Sequence, residues 1–512
     1  MKNLLSKQVI GTCVAVVLST VLFSQASAQP EPSPTPNPTP KPIFTYAGDL
    51  RSFYFGRTNG NTCFTCKTKG APDATAFNSG ALLHGQLNIP RSPFSLGATY
   101  FGAFPFGANA VGKLDNVGYN PQVDNTLPGY ALSLWGEEYV QYKTAGTLFQ
   151  SGREVINTPW ANAADSRLAP QSFQGTLISG NLTPDLSVGA MYMARFRSRV
   201  TSAFNSNTLL TSCNTAYPTG KGELEGVTGT FTVPGDPCNE QRTTSGFSEF
   251  NMAYTVGLSG VTVAANQYEI YDIASMTWVS GQYAFARSSP LKPYVAGQYL
   301  AESNLGSSDV GTVHAHMPGG QMGATLAPNL NFTFGYNGSP ATADVVSAKA
   351  CKGSASEPTG AKPNVVFGGV AVNDPAAPAG DVLCYGGGIA SPYTDSEATD
   401  PLYTSSLTQG LADVHKPGTG VKAALAYQSN NGRLRTSLSR AWYDYSLPGS
   451  NGSVSNADYR AEFDFDVQYF LNPVHPGHPY KGLSIRQRYG ERTQTFSPYD
   501  FKYSRTQLEY TF

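Results

Sequence analysis

Four arginines of this sequence form two pairs whose members stand two positions apart, Arg433 with Arg435 and Arg486 with Arg488. On a β-strand such residues point to the same side, about 6.5–7 Å apart. Stacked guanidinium groups suit carboxylates, because each can hold one through two parallel hydrogen bonds. The spacing predicts a basic surface for anionic solutes, with pairing to carboxylates of the same wall as the alternative.

Candidate partners for such pairing stand on the strand predicted just before Arg486. Residues 461–469 alternate strictly, with apolar side chains at the odd positions from Ala461 and carboxylates at Glu462, Asp464 and Asp466. The period of two places the three carboxylates on one face. A cation that faces lipid costs about 2–4 kcal/mol near the bilayer midplane. In a membrane barrel, the arginines and these carboxylates are therefore predicted to face the lumen.

Six cysteines remain after the predicted signal peptide, and they fall into three local pairs in segments rich in Gly, Pro, Asn and Thr. An exported chain meets an oxidising compartment, which favours disulfides. We interpret the pairs as structural staples, although the CxxC spacing of the first pair also fits a redox or metal motif. The pairs are Cys63/Cys66, Cys213/Cys238 and Cys351/Cys384.

Other residues that could do chemistry lack the partners which that chemistry needs. His314 and His316 share a predicted strand face without carboxylate or cysteine neighbours at ligand spacing, so we interpret them as polar wall residues. Gly107–Lys113 has P-loop spacing, but Leu114 replaces the Ser or Thr that binds magnesium. The sequence predicts no metal, no cofactor and no enzyme.

The elements that must position these residues are predicted to be strands. Lys2, an apolar run and a small-residue cleavage site predict a signal peptide at 1–28, and alternating prolines predict an extended periplasmic tether at 29–43. Charged residues make up only 13% of the chain, and no later apolar run reaches the length of a membrane helix. A membrane chain without apolar helices needs a closed β-barrel, which we place at 44–512.

Apolar residues alternate with polar ones at the end of the chain, at Leu508, Tyr510 and Phe512. This run resembles the last strand of outer-membrane β-barrel proteins, which carries their assembly signal. Two long stretches, about 202–246 and 338–406, interrupt the alternation and are predicted to be extracellular loops. The 34 basic and 35 acidic residues nearly cancel, so no nucleic-acid partner is expected.

Three stretches resemble the OprD family of substrate-specific outer-membrane porins. Ser166-Arg167-Leu168-Ala169-Pro170-Gln171 resembles the family's S-R-L-x-P-Q motif and follows a predicted strand, as it does in the family. Residues 50–57 look like the family's first strand, and residues 461–488 are similar to its closing hairpin. The tether and the three cysteine pairs depart from the family pattern.

The resemblance implies an 18-stranded antiparallel barrel with long extracellular loops, one inward-folded constriction loop and a basic ladder facing it. By position, Arg167 would be the arginine of the constriction loop. The ladder would include Arg51, Arg57, Arg486 and Arg488, while Arg433 and Arg435 match it less closely.

The predicted function is a passive outer-membrane channel for small carboxylate-bearing or amino-acid-like solutes. The alternative is a structural or adhesive surface barrel that acts through its stapled loops. Expected partners are outer-membrane lipid, small solutes and the outer-membrane assembly machinery, and the barrel is expected to be a monomer or a trimer.

Overall fold

The protein is described here from a computed structural model. The structure describes residues 42–59, 74–106, 127, 131–163, 167–199, 201–206, 208–209, 244–256, 260–286, 288–307, 313–347, 370–372, 378–379, 381–386, 388–394, 399–414, 417–448, 454–474, 480–494 and 501–512. Within these ranges the secondary structure is almost entirely strand, and the one named helix is α1 (Leu411–Val414). No described helix is both long and apolar enough to cross a membrane.

Eighteen strands form one antiparallel sheet. They are β1 (Phe44–Asn59), β2 (Ala74–Asn88), β3 (Phe94–Pro105), β4 (Leu132–Lys143), β5 (Thr147–Glu154), β6 (Ser172–Thr183), β7 (Leu186–Arg197), β8 (Phe247–Val256), β9 (Val261–Ile270), β10 (Ala274–Ala284), β11 (Tyr294–Asn304), β12 (His314–Ala327), β13 (Leu330–Ser339), β17 (Gly418–Gln428), β18 (Leu434–Pro448), β19 (Val454–Phe470), β20 (Gly482–Gln494) and β21 (Phe501–Thr511).

The sheet closes on itself. Consecutive strands pair with one another, β13 pairs with β17, and β21 pairs with β1, so that Arg51 stands opposite Glu509. A separate three-stranded sheet lies between β13 and β17 in the chain and consists of β14 (Thr342–Ser347), β15 (Val370–Val372) and β16 (Asp381–Gly386). Closure satisfies the backbone hydrogen bonds of every strand, which hydrocarbon requires. The predicted 18-stranded barrel is confirmed.

Side chains alternate between the two faces of the wall. In β19, Glu462 and Asp464 are buried, whereas Phe465 and Tyr469 are 37% and 45% exposed. In β21, Leu508 and Tyr510 are 44% and 46% exposed, on the face opposite the buried Arg505 and Gln507. The exposed apolar side chains form the outer surface, and a belt of this kind is stable only against lipid.

Candidate functional site: the inner wall and two inward-folded segments

Two stretches of chain pack against side chains that point into the barrel. The first inner segment (residues 155–171, described at 155–163 and 167–171) joins β5 to β6, and it buries Trp160, Ala161 and Leu168. The second inner segment (residues 388–414, described at 388–394 and 399–414) precedes β17. Its Ile389 and Leu411 are fully buried. Sequence analysis expected one inward loop, and the structure adds a second from the end of the long stretch predicted at 338–406.

The first inner segment brings Arg167 to the wall formed by β1 and β21. The Arg167 guanidinium lies 4.7 Å from the centre of the Phe55 ring, and that of Arg505 lies 5.6 Å from the same ring. Leu168 and Ala169 pack in one apolar cluster with Phe53 and Phe55. Cations over an aromatic face are attracted by the ring's negative charge density. Phe55 therefore groups one guanidinium from the segment with one from the wall.

The end of this segment is fixed by Arg197, the last residue of β7. Its guanidinium donates to the carbonyl of Pro170, to the hydroxyl of Ser172 at 3.0 Å and to the carbonyl of Thr201 at 2.8 Å. The side chain is fully buried and lies over the ring of Phe101. A buried charge is stable only when it is well hydrogen-bonded, and Arg197 achieves this by joining residues 170–172 to Thr201, which follows β7.

The two inner segments are also bonded to each other. The amide of Gln171 donates to the carbonyl of Tyr393 at 2.6 Å, and that of Asn162 donates to the carbonyl of Thr399 at 2.7 Å. Ala161 and Tyr393 form a parallel β-bridge. Because each segment supplies donors or acceptors to the other, we treat them as one constriction.

The predicted wall carboxylates divide into two roles. Glu462 and Asp464 hold the second inner segment, since Glu462 accepts the backbone N–H and the hydroxyl of Thr408, each at 2.7 Å, and Asp464 accepts the N–H of Leu407 at 3.3 Å. Asp466 instead accepts hydrogen bonds from two arginines, Arg486 at 2.8 Å and Arg488 at 2.8 Å.

Asp466 is thus shared by two guanidinium groups. The side chains of Arg486 and Arg488 remain 24% and 15% exposed, so both keep access to the barrel interior. The sequence left open whether these arginines form a solute rail or pair with wall carboxylates, and the structure shows that the pairing occurs. Because one carboxylate faces two cations, positive charge is in excess on this part of β20.

Arg505 is a site residue that the sequence analysis missed. It stands in β21 directly opposite Arg488 in β20 and opposite Phe55 in β1. The sequence does indicate that Arg505 points inward. Leu508 and Tyr510 form the apolar face of the last strand, and Arg505 stands at an odd number of residues from Leu508, which places it on the other face. The arginines selected from the sequence belong to R-x-R pairs or to the stretches that resemble the OprD family, and Arg505 belongs to neither group.

The other predicted arginines are spread more widely. Arg51 is buried in β1 and forms ion pairs with Glu509 at 3.0 Å and Asp49 at 3.3 Å. Arg57 lies in the same strand, opposite Tyr503 of β21. Of the remaining pair, Arg433 precedes β18, and Arg435 lies in β18 and stacks on the ring of Phe470 at 4.9 Å. In the register of the sheet Arg435 stands opposite Gln468, which stands opposite Arg486.

Three further buried carboxyls lie on strands remote from β20. Buried Glu154, Glu249 and Glu302 come from β5, β8 and β11. Around the barrel β8 is the eighth strand and β20 the seventeenth, so eight strands lie between them in either direction. In each of these carboxyls one oxygen accepts a hydrogen bond, from Gln150, Asn266 and the N–H of Ala390 respectively, and the other has no donor within the described part of the chain. Carboxyls and arginines occur on both sides of the interior, since Arg197 lies in β7 beside β8, and Glu462 and Asp464 lie in β19 beside β20.

The predicted disulfide staples cannot be placed on this wall or on its loops. Cys384 lies in β16, opposite Asp344 of β14, but its side chain is outside the described residues. The other five cysteines lie outside the described ranges altogether, so neither the staples nor the redox or metal alternative for the CxxC spacing gains support, and all three pairings stay predictions. These five are Cys63, Cys66, Cys213, Cys238 and Cys351.

Comparison with solved structures finds barrels of the same architecture. OccAB3 of Acinetobacter baumannii superposes with a TM-score of 0.61 at 16% identity, over 92% of this chain and 99% of that chain. OpdK of Pseudomonas aeruginosa, solved with vanillate, gives 0.60 at 11% identity over 92% and 98%. OccK8 (OprE) of the same organism gives 0.62 at 14% over 92% and 98%. The chain has the fold of these OprD-type barrels. No protein-family profile and no curated protein matches it by sequence.

The closed barrel and its apolar belt identify an integral outer-membrane protein, as predicted. Phe512 completes the seam, donating its N–H to the carbonyl of Gly48 at 3.0 Å. The assembly role of the terminal strand stays a prediction. The same holds for the signal peptide and the tether, of which nearly every residue lies outside the described ranges.

The second inner segment contains a carboxyl that should make its docking depend on pH. Asp400 lies between strands and is buried, and burial raises its pKa, although it accepts hydrogen bonds from Ser405 and from the N–H of Leu402. A raised pKa means that docking favours the protonated acid. The contribution of Asp400 to the stability of docking is therefore complete below the ordinary pKa of about 3.9 and is lost as the pH rises through the raised value.

We expect Asp400→Asn to remove this dependence, because the amide keeps an acceptor for Leu402 without ionising. Conductance of the wild-type channel, recorded from about pH 4 upwards, should increase with pH as the segment loosens, while that of the variant stays level. Parallel profiles for the two proteins would show that Asp400 does not control the segment.

Proposed function

We propose that the protein is a passive, substrate-selective channel for small solutes that carry a carboxylate. The observation that carries the proposal is the sharing of Asp466 by Arg486 and Arg488, which leaves positive charge in excess on a partly exposed inner surface. A solute carboxylate would bind these guanidinium groups as a second, mobile acceptor. Binding of this kind must be weak and repeated for flux to continue.

The grouping of Arg167 and Arg505 around Phe55 supports the same path. A solute that leaves the β20 arginines would meet these guanidinium groups next, since Arg505 stands opposite Arg488 in the sheet. The partly exposed wall carboxylate Asp466 would orient the ammonium group of an amino-acid-like solute. OpdK, which shares the fold, was solved with vanillate, and this makes an aromatic carboxylate a reasonable first probe.

Single-channel recording in a planar bilayer tests the proposal. We expect discrete conductance that vanillate reduces in a saturable manner and that its uncharged analogue vanillyl alcohol does not. Arg488→Gln should weaken the vanillate block about tenfold or more, because a hydrogen bond to a charged group contributes about 1.5–3 kcal/mol.

Arg440→Gln is the matched control, since Arg440 stands two residues from the exposed Leu438 in β18 and therefore lies on the outer face of the wall. Equal block by vanillate and vanillyl alcohol would contradict selection by charge. A folded barrel without conductance would contradict the channel itself and favour the surface-barrel alternative.

A further inference from the structure

His314 and His316 stand on the outer face of the wall, at the start of β12. Ala315 and Met317, which alternate with them, are fully buried. Tyr299 of the neighbouring strand β11, two residues from the position opposite His316, is 46% exposed and belongs to the outer surface. The two imidazole Nε2 atoms lie 3.2 Å apart, with the rings inclined at 74°. The pair plays no part in the proposed solute path.

This separation matches the distance between two nitrogen ligands of one metal ion. Imidazole nitrogens bind zinc at about 2.0–2.1 Å in tetrahedral geometry, which sets neighbouring ligand nitrogens about 3.3 Å apart. The i, i+2 spacing on a strand already points both rings to the same side. Chelation would therefore need only small side-chain rotations and no change in the backbone.

Tyr299 provides the support that metal-binding histidines commonly have. Its hydroxyl lies 2.8 Å from Nδ1 of His316, and the two rings are stacked at 28°. A hydrogen bond at one imidazole nitrogen fixes the ring and the tautomer, and it directs the lone pair of the other nitrogen toward a metal. Here the nitrogen left for the metal is Nε2, the atom that faces His314.

We propose that His314 and His316 chelate one divalent transition-metal ion of the copper and zinc class through their Nε2 atoms. No group of three or more His, Cys, Asp and Glu suited to a metal occurs within the described ranges. The site would thus have two protein ligands, with water or an external ligand completing the coordination. The affinity of imidazole ligands for divalent metal ions follows the Irving–Williams order, so Cu²⁺ should bind more tightly than Ni²⁺ or Zn²⁺.

The test uses the full-length protein, folded in detergent and free of any histidine tag. Cu²⁺ titrated by calorimetry should bind with one ion per chain, and the electron paramagnetic resonance spectrum should show coupling to two equivalent nitrogens. His314→Asn and His316→Asn should each weaken Cu²⁺ binding by about tenfold or more. Tyr299→Phe should weaken it by about tenfold, because the loss of a hydrogen bond that supports a metal ligand typically lowers metal affinity by about 10–100-fold.

His84→Asn is the control, because His84 lies in β2 and bonds to the hydroxyl of Thr99 on the inner side of the wall. This variant should bind Cu²⁺ like the wild type. The proposal is overturned if the His314→Asn/His316→Asn double variant keeps the wild-type stoichiometry and spectrum, or if the wild type binds no copper. Neither result would bear on the vanillate experiment, which concerns the opposite face of the wall.

Discussion

Glu462→Ala is expected to raise the single-channel conductance several-fold, because the second inner segment loses its anchor on β19. Glu462 is fully buried, and its two oxygens accept the N–H and the hydroxyl of Thr408, each at 2.7 Å. An ordinary hydrogen bond contributes about 0.5–1.5 kcal/mol. Losing two shifts the docking equilibrium by about 1–3 kcal/mol, which corresponds to roughly fivefold to a hundredfold.

Two further variants make the measurement specific. Glu462→Gln keeps the size of the side chain and one acceptor, so its conductance should fall between the wild type and Glu462→Ala. Ser439→Ala removes a donor to Asp464 at 3.0 Å without touching the inner segment, and it should conduct like the wild type. Barrel folding is checked for each variant by the gel-mobility change on heating. Wild-type conductance in a folded Glu462→Ala barrel would show that the segment does not obstruct the lumen.

The sequence could predict which side chains of the wall point inward and which point outward, because this depends only on the alternation of neighbouring residues. The strict alternation of residues 461–469 placed Asp464 inside and Phe465 outside, and the structure agrees. The same reasoning placed Leu508 and Tyr510 outside. A one-residue shift of register would expose every buried charge of a strand to lipid, so the period of two leaves little freedom.

The partners of the inward-facing residues could not be predicted in this way. Glu462 meets Thr408, 54 positions earlier in the chain, and nothing in the alternation of β19 indicates that contact. The second inner segment is rich in residues typical of external loops, and its apolar Ile389, Leu402 and Leu411 follow no regular period. Their burial results from contacts with several strands at once, which is a property of the closed barrel.

Arg197→Met is expected to loosen the first inner segment more than any other single change at its end. The variant leaves the carbonyls of Pro170 and Thr201 and the hydroxyl of Ser172 without their shared donor. Because each bond to the guanidinium contributes about 1.5–3 kcal/mol, the free energy of unfolding should fall by about 3 kcal/mol or more. Urea unfolding of the refolded protein measures this loss.

The same variant separates a positioning role for Arg197 from a purely stabilising one. If the bond to Pro170 holds Arg167 over Phe55, the steady conductance level should give way to fluctuations, and the vanillate block should weaken even where the barrel remains folded. Arg197→Lys keeps the charge but reaches fewer acceptors. It should therefore restore more of the free energy of unfolding than of the vanillate block. Arg195→Met, an exposed position on the same strand, should change neither quantity. If the free energy of unfolding falls while the vanillate block is unchanged, Arg197 only stabilises the wall. The shape of the constriction would then be set by the bonds between the two inner segments.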